Sequence, residues 1–247
     1  MFLIAAGGLG FLVWNDLLRS RLRFRKMELH TKLVLTVTAV LIVGGWLGFY
    51  LTEHNAALTG LSEPEKLLAA LFQSVTARTA GFNTVDQAAL SNPGILLSCM
   101  LMFIGGSPGS TAGGIKTTTI AVVLLNSLRL SRNRDDVVLF RRRLDHRVVR
   151  QAGAIFFVYL IMVLVSTFLI CALEPFGLRE VLFETISAIA TVGLTTGITP
   201  LLGGVSKLIL ISLMYVGRLG GLTLFLALAE SRNPVPLERP TGTILLG

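Results

Sequence analysis

The chain has 247 residues, of which 53% are hydrophobic and 15% charged, with a mean hydropathy of +0.74. That balance excludes an ordinary water-soluble domain and places most of the chain in a bilayer. The formal charge of +8 is gathered into two short stretches rather than spread over a face, so no nucleic-acid partner is expected.

In chain order, Met1 to Leu18 is apolar. It lacks the preceding basic region and following small-residue cleavage site of a signal peptide, so it reads as a spanning helix or the remainder of one. Arg19, Arg21, Arg23, Arg25 and Lys26 follow it. Crossing a hydrocarbon core of about 30 Å takes about 20 apolar residues, a length met by Leu33 to Leu51, Ala152 to Leu173 and Leu208 to Ala229. The last of these carries Arg218. Pro93 to Leu128 is also long enough, but GGSPGSTAGG at 105–114 interrupts it. Pro64 to Arg78 and Arg179 to Ala190 are helix-like yet reach only about 18 to 22 Å, too short to span.

The second basic stretch comprises Arg129, Arg132, Arg134, Arg141, Arg142, Arg143, Arg147 and Arg150. Short Lys/Arg-rich loops stay cytoplasmic, so both stretches face inward, and the loops holding Glu53, Glu63, Glu65 and Glu174 face outward. This topological role accounts for the second stretch, with a nucleic-acid or anionic-lipid contact as the alternative. Cys99 and Cys171 lie in apolar segments and form no disulfide or zinc framework. His30, His54 and His146 have no metal-ligand spacing, and no catalytic constellation is present, so an enzyme is not expected.

The sequence repeats itself. Thr79-Ala80-Gly81-Phe82 aligns with Thr191-Val192-Gly193-Leu194, and Met102-Phe103-Ile104-Gly105 aligns with Met214-Tyr215-Val216-Gly217, both at an offset of 112. Phe72 to Ala77 matches Phe183 to Ala188 after a one-residue slip. Each unit reads as spanning helix, outer loop, short helix, Gly-containing turn and second spanning helix. Gly7-Gly8-Leu9-Gly10 resembles Gly217-Arg218-Leu219-Gly220, so residues 1–28 are expected to be the end of an earlier copy and a cytoplasmic linker. A chain beginning in mid-repeat reads as a fragment or a truncated gene model.

Non-helical backbone is tolerated at membrane depth only inside protein or along a watery cavity, which makes each short helix and turn a re-entrant loop. Carbonyls of Thr79, Ala80, Gly81 and Phe82 and of Thr191, Val192, Gly193 and Leu194 are therefore the candidate ligands of a dehydrated K⁺. Glycine allows the required backbone angles, and the half-helix C-termini point partial negative charge at the ion. The segment Gly105, Gly106, Ser107, Pro108, Gly109, Ser110, Thr111, Ala112, Gly113, Gly114 has five glycines and a proline, and cannot hold a helix. It is not a phosphate loop, because Ile115 separates Gly114 from Lys116. Arg218 is expected to line the pore below the filter, level with Gly106, and oppose cations there; a structural contact to helix-end carbonyls is the alternative. Lys116 reads as a snorkelling side chain or a gate element, and Asp86 as a solvated loop carboxylate or an attractor at the outer mouth.

SVTARTAGFN (74–83), FIGGSPGSTAGGIKTTT (103–119), TVGLTTG (191–197) and YVGRLGGLT (215–223), in this order, resemble the ion-translocating subunit of the Trk/Ktr/HKT superfamily of potassium transporters. The resemblance covers essentially the whole chain. The closing GTILLG is similar to the Ktr branch, which suggests a natural C-terminus.

The resemblance implies four repeats around one pore, of which this chain would hold the third, the fourth and a remnant of the second. It implies that Gly81 and Gly193 favour K⁺, that 105–114 is an intramembrane gate, and that the protein forms homodimers on a cytoplasmic ring of nucleotide-binding regulatory subunits. No cofactor is expected beyond transported K⁺, with Na⁺ as a candidate activator. The fold expected is an all-α membrane protein of tandem helix, pore-loop, helix repeats. One repeat covers 29–128 with its filter at 79–84, and the other covers 151–230 with its filter at 191–197. A basic cytoplasmic loop at 129–150 joins them and a tail at 231–247 follows. Competing functions are a secondary cation transporter with a broken-helix site and a membrane assembly or signalling protein that carries no ion.

Overall fold

The computed structural model describes residues 1–131, 136–140 and 142–220. Arg132, Arg134, Arg141, the end of the span expected to reach Ala229, and the tail at 231–247 lie outside the described residues.

The described chain is mostly helical: α1 (Phe2–Leu9), α2 (Phe11–Arg19), α3 (Leu29–Glu53), α4 (Glu63–Thr76), α5 (Asn92–Phe103), α6 (Thr117–Ser131), α7 (His146–Leu173), α8 (Leu178–Ile189) and α9 (Gly204–Leu219). A two-stranded hairpin, β1 (Val138–Leu139) with β2 (Arg142–Arg143), precedes α7. Local signals set the boundaries. Ser62 and Glu65 form a capping box at α4, Ser91 caps α5 by accepting from the Gly94 amide, and Asp145 caps α7 by accepting from the Arg147 amide.

Helices α3 and α7 are long and apolar enough to cross a membrane, yet only 28% of the most apolar stretch of each is buried in the protein. Val40, Val43, Leu47, Phe157, Ile161 and Phe168 face outward, an arrangement that water would penalise and lipid accepts. The short helices are placed differently. Within α8 every residue from Phe183 to Ile189 is buried, because α5, α7 and α9 enclose it. Helix α4 lies along α3, where Gly45 leaves room for Ser74, whose hydroxyl donates to the Ile42 carbonyl at 2.8 Å.

Two expectations change. Residues 1–18 are not one straight span, because α1 and α2 meet at 93° about Gly10. The segment from Leu208 does not run on as a single helix either, because α9 ends at Gly220. Both breaks have one cause: Gly10 (φ 84°, ψ 153°) and Gly220 (φ 86°, ψ 145°) adopt the same left-handed conformation, open to glycine and closed to most other residues. The GGLG and GRLG segments thus share a bend as well as a sequence.

The described parts of the two basic stretches lie on one face, where Phe24 and Phe140 meet edge to face at 6.1 Å. At the opposite face, matched clasps close the helix ends. Glu53, at the end of α3, accepts from the Ser91 amide (3.1 Å) and hydroxyl (2.5 Å). Glu174, just after α7, accepts from the Gly203 amide (2.7 Å) and the Ser206 hydroxyl (2.7 Å). At the 112 offset, Ser91 corresponds to Gly203 and Gly94 to Ser206, so the hydroxyl has changed position while the clasp is kept. A side chain at Gly94 would meet Glu53 Oε1 at 2.0 Å.

The Ser206 hydroxyl, then the Gly203 amide, hold the Glu174 carboxyl below its usual range. A carboxyl with a lowered folded value stabilises the fold above the unfolded value and loses that contribution as pH falls through the folded one. Glu174→Gln should therefore flatten the decline of thermal stability below about pH 4.5 in detergent; an acid limb identical to that of the wild type would refute the clasp.

Candidate functional site

Helix α4 stops three residues before Thr79 and α8 two residues before Thr191, which locates the one-residue slip between helix and turn. From there the turns match in backbone hand. Thr79 (φ 62°) and Thr191 (φ 52°) are left-handed, Ala80 and Val192 are not, and Gly81 (φ 76°) and Gly193 (φ 90°) are left-handed again. Alternating hand swings successive carbonyls to the same side, whereas an ordinary strand points them to opposite sides. A β-branched residue at positive φ is strained by about 1–3 kcal/mol, and such strain gathers at functional sites. Here it occurs twice, at equivalent positions.

Hydrogen bonds hold both turns to their half-helices. The amides of Ala80 and Gly81 donate to the Thr76 carbonyl (3.1 and 3.3 Å), and the Val192 amide donates to the Ser187 carbonyl (2.9 Å). Thr76 Oγ1 both accepts from the Phe82 amide (2.9 Å) and donates to the Phe82 carbonyl (2.8 Å). The turns also meet each other: the Val192 carbonyl points at Gly81, where a methyl would lie 2.1 Å from the oxygen.

The glycine-rich segment 105–114 lies directly against the second of these turns. Its neck is closed by the Gly105 amide on the Ile115 carbonyl (2.9 Å) and the Thr117 amide on the Gly106 carbonyl (3.0 Å). Its far side packs on the second turn, since a side chain at Gly113 would strike Thr191 Oγ1 at 2.2 Å. The α1–α2 bend fastens it from another direction. Ser107 Oγ donates to the carbonyls of Gly8 (2.8 Å) and Leu9, and the Phe11 amide donates to the Gly109 carbonyl (3.1 Å). Two cationic side chains secure its tip: Arg218 Nη1 donates to the Thr111 carbonyl (2.5 Å) and Lys116 Nζ to the Ala112 carbonyl (2.5 Å). Between this loop, α1 and the first turn is a cavity of about 240 Å³ bordered by Thr79, Ala80, Phe82 and Thr111. Asp86 stands apart as an exposed loop residue that accepts from the Ala88 amide (3.0 Å).

Three features of the site carry no sequence motif. Arg78 is buried beside Thr79 and reaches Thr38 Oγ1 at 3.4 Å; its Nε has no partner among the described residues. Gln73 pairs with Gln87 behind the first turn, and Glu184 is enclosed by threonines behind the second. The signal available in the sequence is that Gln73 and Glu184 occupy the same position of the aligned half-helices.

Spanning helices with lipid-facing apolar sides, two half-helices and paired irregular turns define a multi-pass membrane protein. Residues 1–234 match the family described as TrkH, cation transport protein, and the chain belongs to that family. It is 40% identical over 252 residues to the potassium/sodium uptake protein NtpJ of Enterococcus hirae, covering 99% of this chain and 56% of that protein. The Ktr system potassium uptake protein B of Vibrio alginolyticus is 41% identical, covering 98% and 53%, and that of Bacillus subtilis 37%, covering 100% and 55%. The crystal structure of the potassium transporter TrkH from Vibrio parahaemolyticus shares the fold, with a TM-score of 0.74 over 92% of this chain and 50% of that one at 21% identity. The chain thus spans about half the length of the relatives it matches. These relatives are transporters, not enzymes.

Gly81 and Gly193 both pay the left-handed strain of about 1–2 kcal/mol if changed to alanine, but only Gly81 faces a backbone oxygen within contact distance. Gly81→Ala should lower thermal stability in detergent by at least about 2 kcal/mol more than Gly193→Ala, an overpacking penalty. Equal losses would mean that the two turns do not touch.

Proposed function

We propose that this chain supplies part of the path of a potassium uptake protein, with the carbonyls of 79–82 and 191–194 replacing water around K⁺. The observation that carries this reading is the pair of turns with the same alternating backbone hand, seated together at the ends of two half-helices. A cation needs oxygens and partial negative charge at one depth, and carbonyls gathered on one side of a turn at half-helix C-termini supply both. The names of the relatives, which describe potassium or potassium/sodium uptake, agree with it.

In this reading the segment 105–114 is the gate. It fills the space under the second turn, and Arg218 and Lys116 hold its tip by single bonds to Thr111 and Ala112 that can be broken without disturbing the helices. Two fixed positive charges beside the path oppose cations while the gate is shut. Residues 29–128 and 151–230 act as two pore repeats, with 1–28 as the end of another. A second copy of the protein and a cytoplasmic nucleotide-binding ring are the proposed partners, the ring engaging the basic region 129–150 and the broken helix. Na⁺ is a candidate activator. A secondary transporter with a midplane site would call for inverted halves, but α3–α4–α5 and α7–α8–α9 run in the same order, with basic stretches on one face.

Rb⁺ flux into liposomes containing the full chain tests the reading, and a protein that only assembles or signals would give none. Gly81→Ser should lower K⁺ over Na⁺ discrimination in a K⁺-uptake-deficient strain, and unchanged discrimination would refute the filter. Arg218→Gln should raise the uptake rate roughly three- to tenfold by removing one charge-assisted bond from the gate; an unchanged or lower rate at equal protein level would assign the residue a purely structural role.

A further inference from the structure

Each turn has a polar brace behind it, built at corresponding positions from different chemistry. In the first, Gln73 on α4 and Gln87 after the turn exchange amide hydrogen bonds at 2.6 and 3.2 Å, and both side chains are buried. In the second, Glu184 on α8 takes the place of Gln73 at the offset of 111 found for the half-helices, and Thr199 takes the place of Gln87 at the offset of 112 found after the turn. Glu184 is only 5% exposed. Its Oε1 accepts from Thr195 Oγ1 (2.6 Å), the Thr196 amide (2.9 Å) and Thr196 Oγ1 (3.3 Å), and its Oε2 from Thr199 Oγ1 (2.6 Å). Thr195 Oγ1 in turn accepts from the Gly197 amide (2.9 Å). One carboxylate thus fixes the backbone immediately following Leu194.

The two braces differ in charge. Gln73 and Gln87 satisfy each other and are neutral. A carboxylate enclosed by donors needs a positive counter-charge as well as hydrogen bonds. Among the described residues no Lys, Arg or His forms an ion pair with Glu184. The turn it supports is one of the two proposed to bind a cation.

We infer that Glu184 is an affinity- and selectivity-determining positioning residue: it clamps the second turn through Thr195, Thr196 and Thr199, and its charge is balanced by the cation held in front of that turn. The inference rests on the transport reading above. It gives the two walls different tasks, since the Gln73–Gln87 wall contributes geometry alone and the Glu184 wall contributes geometry and field. The carboxylate never touches the ion; it acts through the peptide groups that do.

The test uses the full chain in liposomes and in a K⁺-uptake-deficient strain, with Rb⁺ as the tracer and Na⁺ as the competitor, normalised to inserted protein. Glu184→Gln removes the charge and keeps part of the clamp, so KM for Rb⁺ should rise about tenfold while the maximal rate changes little. Glu184→Ala removes both, so K⁺ over Na⁺ discrimination should also fall about tenfold. Glu184→Gln combined with Thr199→Gln rebuilds the amide pair of the first wall. It should keep the discrimination that Glu184→Ala loses while KM stays raised, a split that a merely structural role cannot produce. Unchanged KM in all three variants would remove the charge from the account, and failure of the double variant to keep discrimination would remove the clamp; either overturns the inference. Absence of Rb⁺ flux in the wild type would instead overturn the transport reading, and this inference with it.

Discussion

A peptide group removed from water must find a partner, and at membrane depth the solvent offers none. Three irregular segments, 79–82, 105–114 and 191–194, face that constraint together, and each meets it by using the others or the helix ends around them. The Ala80 and Gly81 amides donate to the Thr76 carbonyl, the Val192 amide to the Ser187 carbonyl and the Gly105 amide to the Ile115 carbonyl, while the Gly8 and Leu9 carbonyls take the Ser107 hydroxyl. The long helices α3 and α7 can remain half bare to lipid because their own backbone is already satisfied. Burial is instead concentrated on α8, which α5, α7 and α9 enclose.

Glycine makes the close approaches possible. Side chains at Gly105, Gly113 or Gly217 would meet backbone or hydroxyl oxygens at 2.2 Å or less. The glycines of the interrupted helix therefore do more than break it. They allow a loop to lie flat against a turn with no side chain between them, close enough for Arg218 and Lys116 to reach its tip.

Duplication has preserved devices rather than residues. The outer clasp keeps its carboxylate but moves its hydroxyl from the N-cap of α5 to the third residue of α9, trading Ser91 and Gly94 for Gly203 and Ser206. The brace behind the turn keeps its place but changes from an amide pair to a carboxylate with three threonines. Hydrogen-bond geometry constrains such sites by donor and acceptor count, which several residue types satisfy. The alternating hand of the turns has no such latitude at its glycines, and there the two copies agree.

The sequence by itself determined the membrane class, the long helices, the half-helices, the interrupted helix at 105–114 and the paired turns, because hydropathy, helix length and glycine content act locally and leave their mark along the chain. It also marked Arg218 through the cost of a charge in an apolar span. It did not reveal the right-angle bend at Gly10, the stop at Gly220, or the roles of Gln73, Gln87, Glu184 and Arg78. Those were decided by the tertiary structure: the bend at Gly10 packs against Pro108 and Gly109 of the interrupted helix, and a polar side chain acquires its partner only when residues elsewhere along the chain are brought within hydrogen-bond reach of it.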